Sequence, residues 1–423
     1  MAKGKEIQTN RKEESNGSSL LNFLFPITIA IGIRAVCASY SDLFEERVEF
    51  TSIVYSFERL KDGVAMLADG LDPFDSKNMH FPPITLHIFR FLLKTAPGLL
   101  LPLFIALDIA TAWMVALAAE TVEKKFRGES DERTMATRKL IFSLYAFNPI
   151  TIISTGILSL TVVQNFVLAA IFLLLVTDRS IICALFIGAW SAFTIYPFIL
   201  ISCLVFQSNG RFVNFLYLVI VAVLSAVTVF GINVWLNNNS LNFVEPVYAT
   251  ILKFSSIQPN IGLYWYFFVQ IFEHFRSFYT NSFVLLYFFM PIPITIMIRK
   301  DHVLHFTIIG FLVSIFFPYP TLNQVTVLLA ILPLLGVYKK HFRYTILIAG
   351  SIVYTITLMP VMWHMWMVSS SGNANFFFGA TIVYNVALIN FVMDMIFVYA
   401  RRQIDVEYGD AIKENTKMDF SFY

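Results

Sequence analysis

The sequence predicts an all-α polytopic membrane protein, one bundle of about twelve transmembrane helices with amphipathic helices on its luminal side. Three observations predict it. Hydrophobic residues are 57% of the 423 before Gly is counted, against roughly 45–50% with Gly included for soluble domains. Charged residues are only 14%, against about 25% normally, and the mean hydropathy is +0.69. Eleven separate apolar runs are long enough to cross a bilayer, each crossing taking about 20 residues of helix. A chain so composed cannot cover a globular surface with polar groups. The net charge of +2 argues against nucleic acid, which calls for a clustered basic face. Three cysteines, Cys37, Cys183 and Cys203, lie in apolar stretches with no CxxC, which excludes a disulfide framework and a zinc site.

Taken in order, residues 1–19 form a polar N-terminus, read as cytosolic. The apolar run starts at Leu20 without a small-residue cleavage site, so it reads as an uncleaved signal anchor. From there a single membrane domain runs to residue 402. Its first span, 22–40, carries Arg34, which either snorkels or faces the bundle. Residues 41–80 hold four basic and nine acidic side chains and are placed in the lumen. Within them Ile53, Phe57, Leu60, Val64 and Leu67 recur at helical spacing. That pattern fits a helix on the luminal interface or a half-buried cap on the bundle, and the two are compatible.

A short run, 82–93, reads as a half-inserted helix. The span 99–119 contains Asp108, whose depth predicts a polar contact between helices. Six Lys and Arg in residues 120–139 make that loop cytosolic. Spans follow at 140–156, 160–177 and 181–206, the last broken at Tyr196-Pro197 into two limbs. Further spans are expected at 212–236, 282–298, 303–317, 322–338, 344–367 and 376–400, the last carrying Asp394. The aromatic-rich run 261–279 reads as a second half-inserted helix. Arg299-Lys300, Lys339-Lys340, Arg343 and Arg401-Arg402 mark further cytosolic connections. Residues 368–375 make a luminal turn, and 403–423 a cytosolic tail. With a luminal turn at Tyr196-Pro197 the count is twelve, both termini are cytosolic, and Asn238 heads a luminal sequon.

Few residues suggest chemistry. His302 and His305 form an isolated HxxH, read as solvated surface in a short connection. No HExxH, Walker loop or GxGxxG occurs. A membrane glycosyltransferase using a polyprenyl-phosphate sugar needs a carboxylate cluster in its first luminal loop. Here Asp42, Glu45 and Glu46, and later Asp72 and Asp75, are the candidates, without a DxD pattern.

Two luminal-facing stretches stand out. In QPNIGLYWYFFVQIFEHF (258–275), Asn260, Trp265, Glu273 and His274 are polar or amphipathic tips on an aromatic face. In MPVMWHMWMVSSSGNANFFF (359–378), Trp363, His364 and Trp366 end a span before a polar turn. An aromatic belt with a tight loop explains both stretches. So does a lipid-headgroup site, in which the carboxamides of Asn373 and Asn375 donate to phosphate or sugar oxygens.

These residues resemble the PIG-U family, the polytopic subunit of the glycosylphosphatidylinositol (GPI) transamidase complex. The matching pieces include ERVEFTSIVYSFERLKDGVAMLADGLDPF, PPITLHIF, LDIATAW, FNPITIIS, the whole 258–275 stretch, YPTLNQV, and MPVMWHMW followed by NANFF. They run in order from about residue 46 to 402. The family is in turn similar to type-C glycosyltransferases, such as the first GPI mannosyltransferase. The shared pieces are the segment at Pro82–Leu86, the D-x-x-T-A of Asp108–Ala112, Phe147-Asn148-Pro149 and the Tyr196-Pro197 break. The missing DxD-like site implies a transferase scaffold that has lost its chemistry.

The resemblance implies a non-catalytic subunit in the endoplasmic reticulum membrane, needing no cofactor or metal. Its implied partners are a caspase-like catalytic subunit, accessory membrane subunits, the GPI lipid and the proprotein's C-terminal signal peptide. Asn373, Asn375, Trp363, His364, Asn260, Trp265 and Glu273 match family positions and are the expected GPI-binding residues. The alternatives are an active glycosyltransferase using the loop carboxylates, and a purely structural assembly subunit.

Overall fold

A computed structural model describes residues 23–75, 78–208 and 210–414, and every regular element among them is helical. The polar N-terminus, the start of the signal anchor through residue 22, and residues 415–423 of the tail lie outside the described residues. The α-helices are α1 (Phe23–Ala38), α2 (Phe57–Ala68), α3 (Pro83–Thr95), α4 (Leu100–Val122), α5 (Asp131–Ala146) and α6 (Pro149–Gly156). They continue as α7 (Thr161–Val176), α8 (Ser180–Thr194), α9 (Phe212–Leu236), α10 (Thr250–Lys253), α11 (Trp265–Gln270) and α12 (Glu273–Phe289). The last are α13 (Pro291–Met297), α14 (His302–Phe316), α15 (Thr326–Ala330), α16 (Thr345–Met367) and α17 (Ala374–Glu414).

Among the described residues, five helical stretches are long and apolar enough to cross a membrane: Pro97–Arg127, Phe212–Leu236, Glu273–Met297, Thr345–Met367 and Ala374–Gly409. Five more apolar helices are shorter, namely α1, α7, α8, α14 and the 3₁₀ helix Tyr196–Ser208. The chain is thus an all-helical, multi-pass membrane protein.

The elements follow local chemistry. Ser56 caps α2 by accepting from the Arg59 N–H, and Leu60 and Val64 bury its apolar face. Gly63 lets Met79 and Leu86 pack against that helix, because a Cβ there would lie 2.6 Å from the Met79 methyl. Pro83 opens α3, where a missing N–H costs nothing. The expected break near Pro197 is at Ile195, whose φ is +62°. The limb beyond it is a 3₁₀ helix.

Four expectations need correcting. The span expected at 140–156 is divided at Phe147 and Asn148 between the end of α5 and α6, which Pro149 opens. The span expected at 282–298 begins at Glu273, and the aromatic run before it is not one helix. Extended backbone at Ile271 and Phe272 divides that run into α11 and the start of α12. The stretch 322–338 is not a continuous span. It breaks into the 3₁₀ turn Leu322–Val325, the short α15 and, beyond Ile331, the 3₁₀ helix Leu332–Tyr338, with Pro333 in its first turn. Residues 321–328 are all buried, and irregular backbone at membrane depth is tolerated only where protein surrounds it. Finally, His302 and His305 are not solvated surface. They open α14; His305 is fully buried, 2.9 Å from the Thr295 hydroxyl through Nε2.

The core is built around α14, where Val303 through Ile315 are all buried, as expected of a helix apolar on every side. On the flank, α8 and α9 approach closely. A Cβ on Gly188 would lie 2.0 Å from the Ala222 carbonyl oxygen, and Ser225 donates to the Leu185 carbonyl at 2.8 Å.

Long-range contacts sort the connections to two ends. At one end Lys125 pairs with Asp178, Arg127 reaches the Leu334 carbonyl, and the Tyr338 hydroxyl donates to Asp301. Lys300 bonds Gln403 and Arg401 pairs with Asp405 there. This is the basic end. At the other, Leu322 N–H bonds the Glu49 carbonyl, Arg59 bonds Gln258, His80 meets the Pro246 carbonyl, and Tyr266 meets Asn375.

Candidate functional site

The two singled-out stretches meet at the end away from the basic loops. One supplies α11, the other the end of α16 and the start of α17. Trp265 stacks on Trp366 with centroids 6.2 Å apart and stands edge-on to Phe378 at 5.8 Å. Tyr266 stacks on Phe378 at 4.3 Å. Trp363 packs edge-on against Phe377 at 5.2 Å and Trp366 at 5.5 Å. Offset and edge-to-face pairs of this kind each add about 0.5–1.5 kcal/mol beyond area burial. The turn is then fixed by polar bonds. The Tyr266 hydroxyl donates to Asn375 Oδ1, and the Asn375 N–H donates to Asn373 Oδ1 at 3.0 Å.

This bonding spends the two carboxamide oxygens. The NH₂ groups of Asn373 and Asn375 meet no acceptor among the described residues, and both side chains are exposed. The indole N–H of Trp265 is buried and also finds no acceptor there. The site therefore presents amide donors above a platform of rings.

The other expected residues divide. Trp363 is half-buried within the ring cluster, and His364 is exposed one position on. Asn260 is buried and shapes the approach to α11. Its Oδ1 accepts from the Gly262 N–H at 2.7 Å, and its Nδ2 donates to the Gln258 carbonyl at 3.0 Å. Next to it, Asn385 of α17 donates to the Ile261 carbonyl at 2.7 Å, tying this loop to the same helix that carries Asn375. Glu273 is exposed in the first turn of α12, and no contact joins it to the ring cluster.

Beneath lies a polar network that the pattern of single residues did not reveal. Arg34 of α1 and Asp108 of α4 form a fully buried ion pair at 2.6 Å. Arg34 also donates to the carbonyls of Ala30 and Ala146 and to Thr151. Asp108 accepts from Tyr145 at 2.8 Å and Thr155 at 3.0 Å. Asn165 links Tyr145 to Thr326 and the Asn323 carbonyl, and Asn323 in turn donates to Thr161. The broken segment 322–326 thus gives its polar groups to this network. Arg34 faces the bundle rather than snorkelling.

The carboxylates proposed as candidates are not drawn together. Asp42 and Glu46 are exposed and Glu45 is half-buried. Among the described residues no cluster of three metal-ligating side chains occurs. The buried acid of this loop is instead Glu49, fully covered, with neither oxygen hydrogen-bonded among the described residues. Burial raises its pKa above the ordinary 4.5. Its own backbone N–H and Arg47 offset this only in part. A raised folded-state value means a stabilising contribution present below 4.5 and lost as pH rises through the folded value. Glu49→Gln is therefore expected to raise the thermal unfolding midpoint at pH 7 and to flatten its pH dependence from 4.5 upward. A variant less stable than the parent at pH 7 would instead mean that the ionised form is paired.

An apolar cavity of about 570 Å³ opens between α3, α4, α7 and α8, with Phe89, Phe104 and Trp190 on its walls and Tyr55, His80 and Gln164 at its polar end. His80 is held neutral by burial, its pKa lowered, with Nδ1 2.7 Å from the Pro246 carbonyl.

Comparison with known proteins bears on what this arrangement serves. A family model described as "GPI transamidase subunit PIG-U" matches residues 27–384. The chain is 27% identical over 421 aligned residues to the GPI-anchor transamidase component PIGU of Mus musculus, covering 90% of this chain and 94% of that one. The corresponding Homo sapiens component is 26% identical over 422, with the same coverage. The GPI transamidase component GAB1 of Saccharomyces cerevisiae is 26% identical over 392, covering 91% and 94%.

Proposed function

The chain belongs to the PIG-U family of GPI transamidase subunits, and we propose that within that complex it is the non-catalytic member that holds the GPI lipid. The observation that carries this reading is the meeting of Tyr266 with Asn375, which seats two exposed carboxamides on a cluster of aromatic rings. A phosphorylated, glycosylated headgroup offers many acceptor oxygens, and the unspent NH₂ groups of Asn373 and Asn375 are donors suited to them. Trp265, Trp363 and the neighbouring Trp366 and Phe378 face the lipid where its chains leave the headgroup, the usual place for aromatic rings at a membrane interface. A buried donor with no acceptor is uncommon and calls for an explanation; a bound oxygen at the Trp265 indole supplies one. Asn260 is a positioning residue, His364 borders the turn, and Glu273 flanks the approach.

In this reading the chain sits in the endoplasmic reticulum, with residues 41–80 and the turn 368–375 in the lumen and 120–139 in the cytosol. About twelve crossings result when 140–156, the shorter apolar helices and the broken stretch 322–338 are counted with the five long ones. The scaffold is that of a type-C glycosyltransferase without its chemistry. A separate caspase-like subunit cuts the proprotein, accessory membrane subunits complete the complex, and this chain helps admit the hydrophobic signal peptide. Holding the GPI amine near the cleavage centre is itself a large rate effect, because it makes the encounter local and oriented.

The Asn373→Ala, Asn375→Ala double variant, expressed in cells lacking the native chain, tests the reading. We expect surface GPI-anchored protein to fall about ten-fold, the worth of one to two lost hydrogen bonds, while the other subunits are still pulled down. Loss of the complex as well would assign the turn to assembly. Normal anchoring with an intact complex would remove this turn from the lipid site.

A further inference from the structure

A second lateral groove lies on a different face, and it ends at the basic end of the bundle. Its volume is about 860 Å³, and its walls are the 3₁₀ helix Tyr196–Ser208, the first turn of α9, and the junction of α12 with α13. Phe198, Phe215, Phe288, Ile292 and Ile296 line it, and Arg299 stands at its mouth. At about 2.0 Å per residue of 3₁₀ helix, the wall from Phe198 to Ser208 is about 20 Å high. That is about two-thirds of the ~30 Å hydrocarbon core. Gln207 donates to the Leu174 and Leu175 carbonyls at the end of α7, so this wall terminates beside the loop that carries Asp178, the partner of Lys125.

The charge at the mouth is the informative part. Lys125, Arg127, Arg138 and Arg401 of the same end each hold a carboxylate. Arg299 is exposed and, among the described residues, has no carboxylate within ion-pair distance; the same is true of Arg211, which immediately precedes the groove-lining Phe212. An apolar slot in the membrane-spanning region with unpaired guanidinium at its mouth complements one kind of molecule, a phospholipid with an anionic headgroup. Basic pockets between membrane helices recognise such headgroups. An apolar protein helix would bring nothing to the Arg299 guanidinium, whereas an anionic headgroup does.

We propose that this groove is a binding site for an anionic phospholipid, its acyl chains between the 3₁₀ wall and α13 and its anionic headgroup on Arg299. The inference does not rest on the lipid site at the opposite end, and either can fail alone.

The test uses the full-length chain purified in detergent and examined by native mass spectrometry, with phosphatidylserine and phosphatidylcholine as probes. Phosphatidylserine should be retained about ten-fold more than phosphatidylcholine, and Arg299→Gln should bring the two to within two-fold. Ile296→Trp, which fills the groove, should lower retention of both at least ten-fold; the Asn373, Asn375 double variant should lower neither. Should Ile296→Trp fail to fold, a photoreactive phosphatidylserine on the unmodified chain decides, and its label is expected in residues 198–215 and 288–299. Equal retention of the two lipids, an unaltered preference in Arg299→Gln, or label placed elsewhere would overturn the proposal. So would a photo-crosslinker at Ile296 that captures a protein helix in the assembled complex.

Discussion

Arg34→Leu is expected to leave almost no folded chain. The substitution strands Asp108, which is fully buried and has lost its only cation among the described residues, between α4, α5 and α6. Removing one member of a buried pair costs about 3–5 kcal/mol in soluble proteins, and an unpaired acid in a membrane bundle is at least as costly. Against a total stability on the order of 5–15 kcal/mol, that suffices to send most of the chain to degradation. Loss is further driven by the Ala30 and Ala146 carbonyls and Thr151, which all give up their donor. Asp108→Asn should lose about as much, since its amide oxygen still accepts from Tyr145 or Thr155 but the buried Arg34 guanidinium is left without an anion. The Arg34→Leu, Asp108→Leu pair should recover part of the loss, because replacing both charges leaves no ion uncompensated. Fluorescence-detected size exclusion and unfolding midpoints of the parent, Arg34→Leu, Asp108→Leu, the double variant and Asp108→Asn measure this. A double variant that falls by the sum of the singles would show that the two residues act independently and would overturn the coupling.

Gly188→Val is the second large effect. Even Ala would place a Cβ 2.0 Å from the Ala222 carbonyl oxygen and 2.8 Å from its carbon, so the obstacle is backbone and cannot rotate away. The helices must separate, and the Ser225 to Leu185 bond goes with them. Overpacking of this kind costs about 1–3 kcal/mol where neighbours can shift, and more here, because close approach of small residues is what docks helices in lipid. Most of the length of α9 faces outward, and α8 is its main packing partner. Gly231→Ala on α9 is the control. A Cβ there meets nothing within 4 Å, and Ala is the better helix former by about 1 kcal/mol. The first variant should lower the unfolding midpoint sharply and the second should hold or raise it. Equal behaviour would mean that the α8–α9 crossing does not limit stability.

The residues that disclosed themselves in the sequence are those whose signal is local. Apolar runs gave most of the long helices, and Pro197 gave the hairpin to within one or two residues of the true break at Ile195. Leu60 and Val64 gave the buried face of α2. Both aromatic stretches were visible as candidate binding segments, but not their meeting. Tyr266 and Asn375 are 109 residues apart, and nothing in either stretch encodes the other. Arg34 and Asp108 stood out singly for the same reason, 74 residues apart. The stretch 322–338 is apolar enough to pass for a span. Only the placement of Asn323, Gln324 and Thr326 against α7 shows why it is broken. Glu49 was one of nine acids in its loop, and its burial has no counterpart in composition.

One feature of α17 has a mechanical meaning. At about 1.5 Å per residue its 41 residues make a rod about 62 Å long, twice the ~30 Å hydrocarbon core. Asn375 and Phe378 sit in its first turn, while Asp405, which meets both Arg401 and His341, lies near its far end. A rod pivoted in the middle is a lever. A tilt of about 5° moves each tip by roughly 3 Å in opposite senses, given the length above. Whatever wedges against the rings at one end would therefore pull on the ion pairs at the other, and the buried faces of α17 nearest the pivot would shift least.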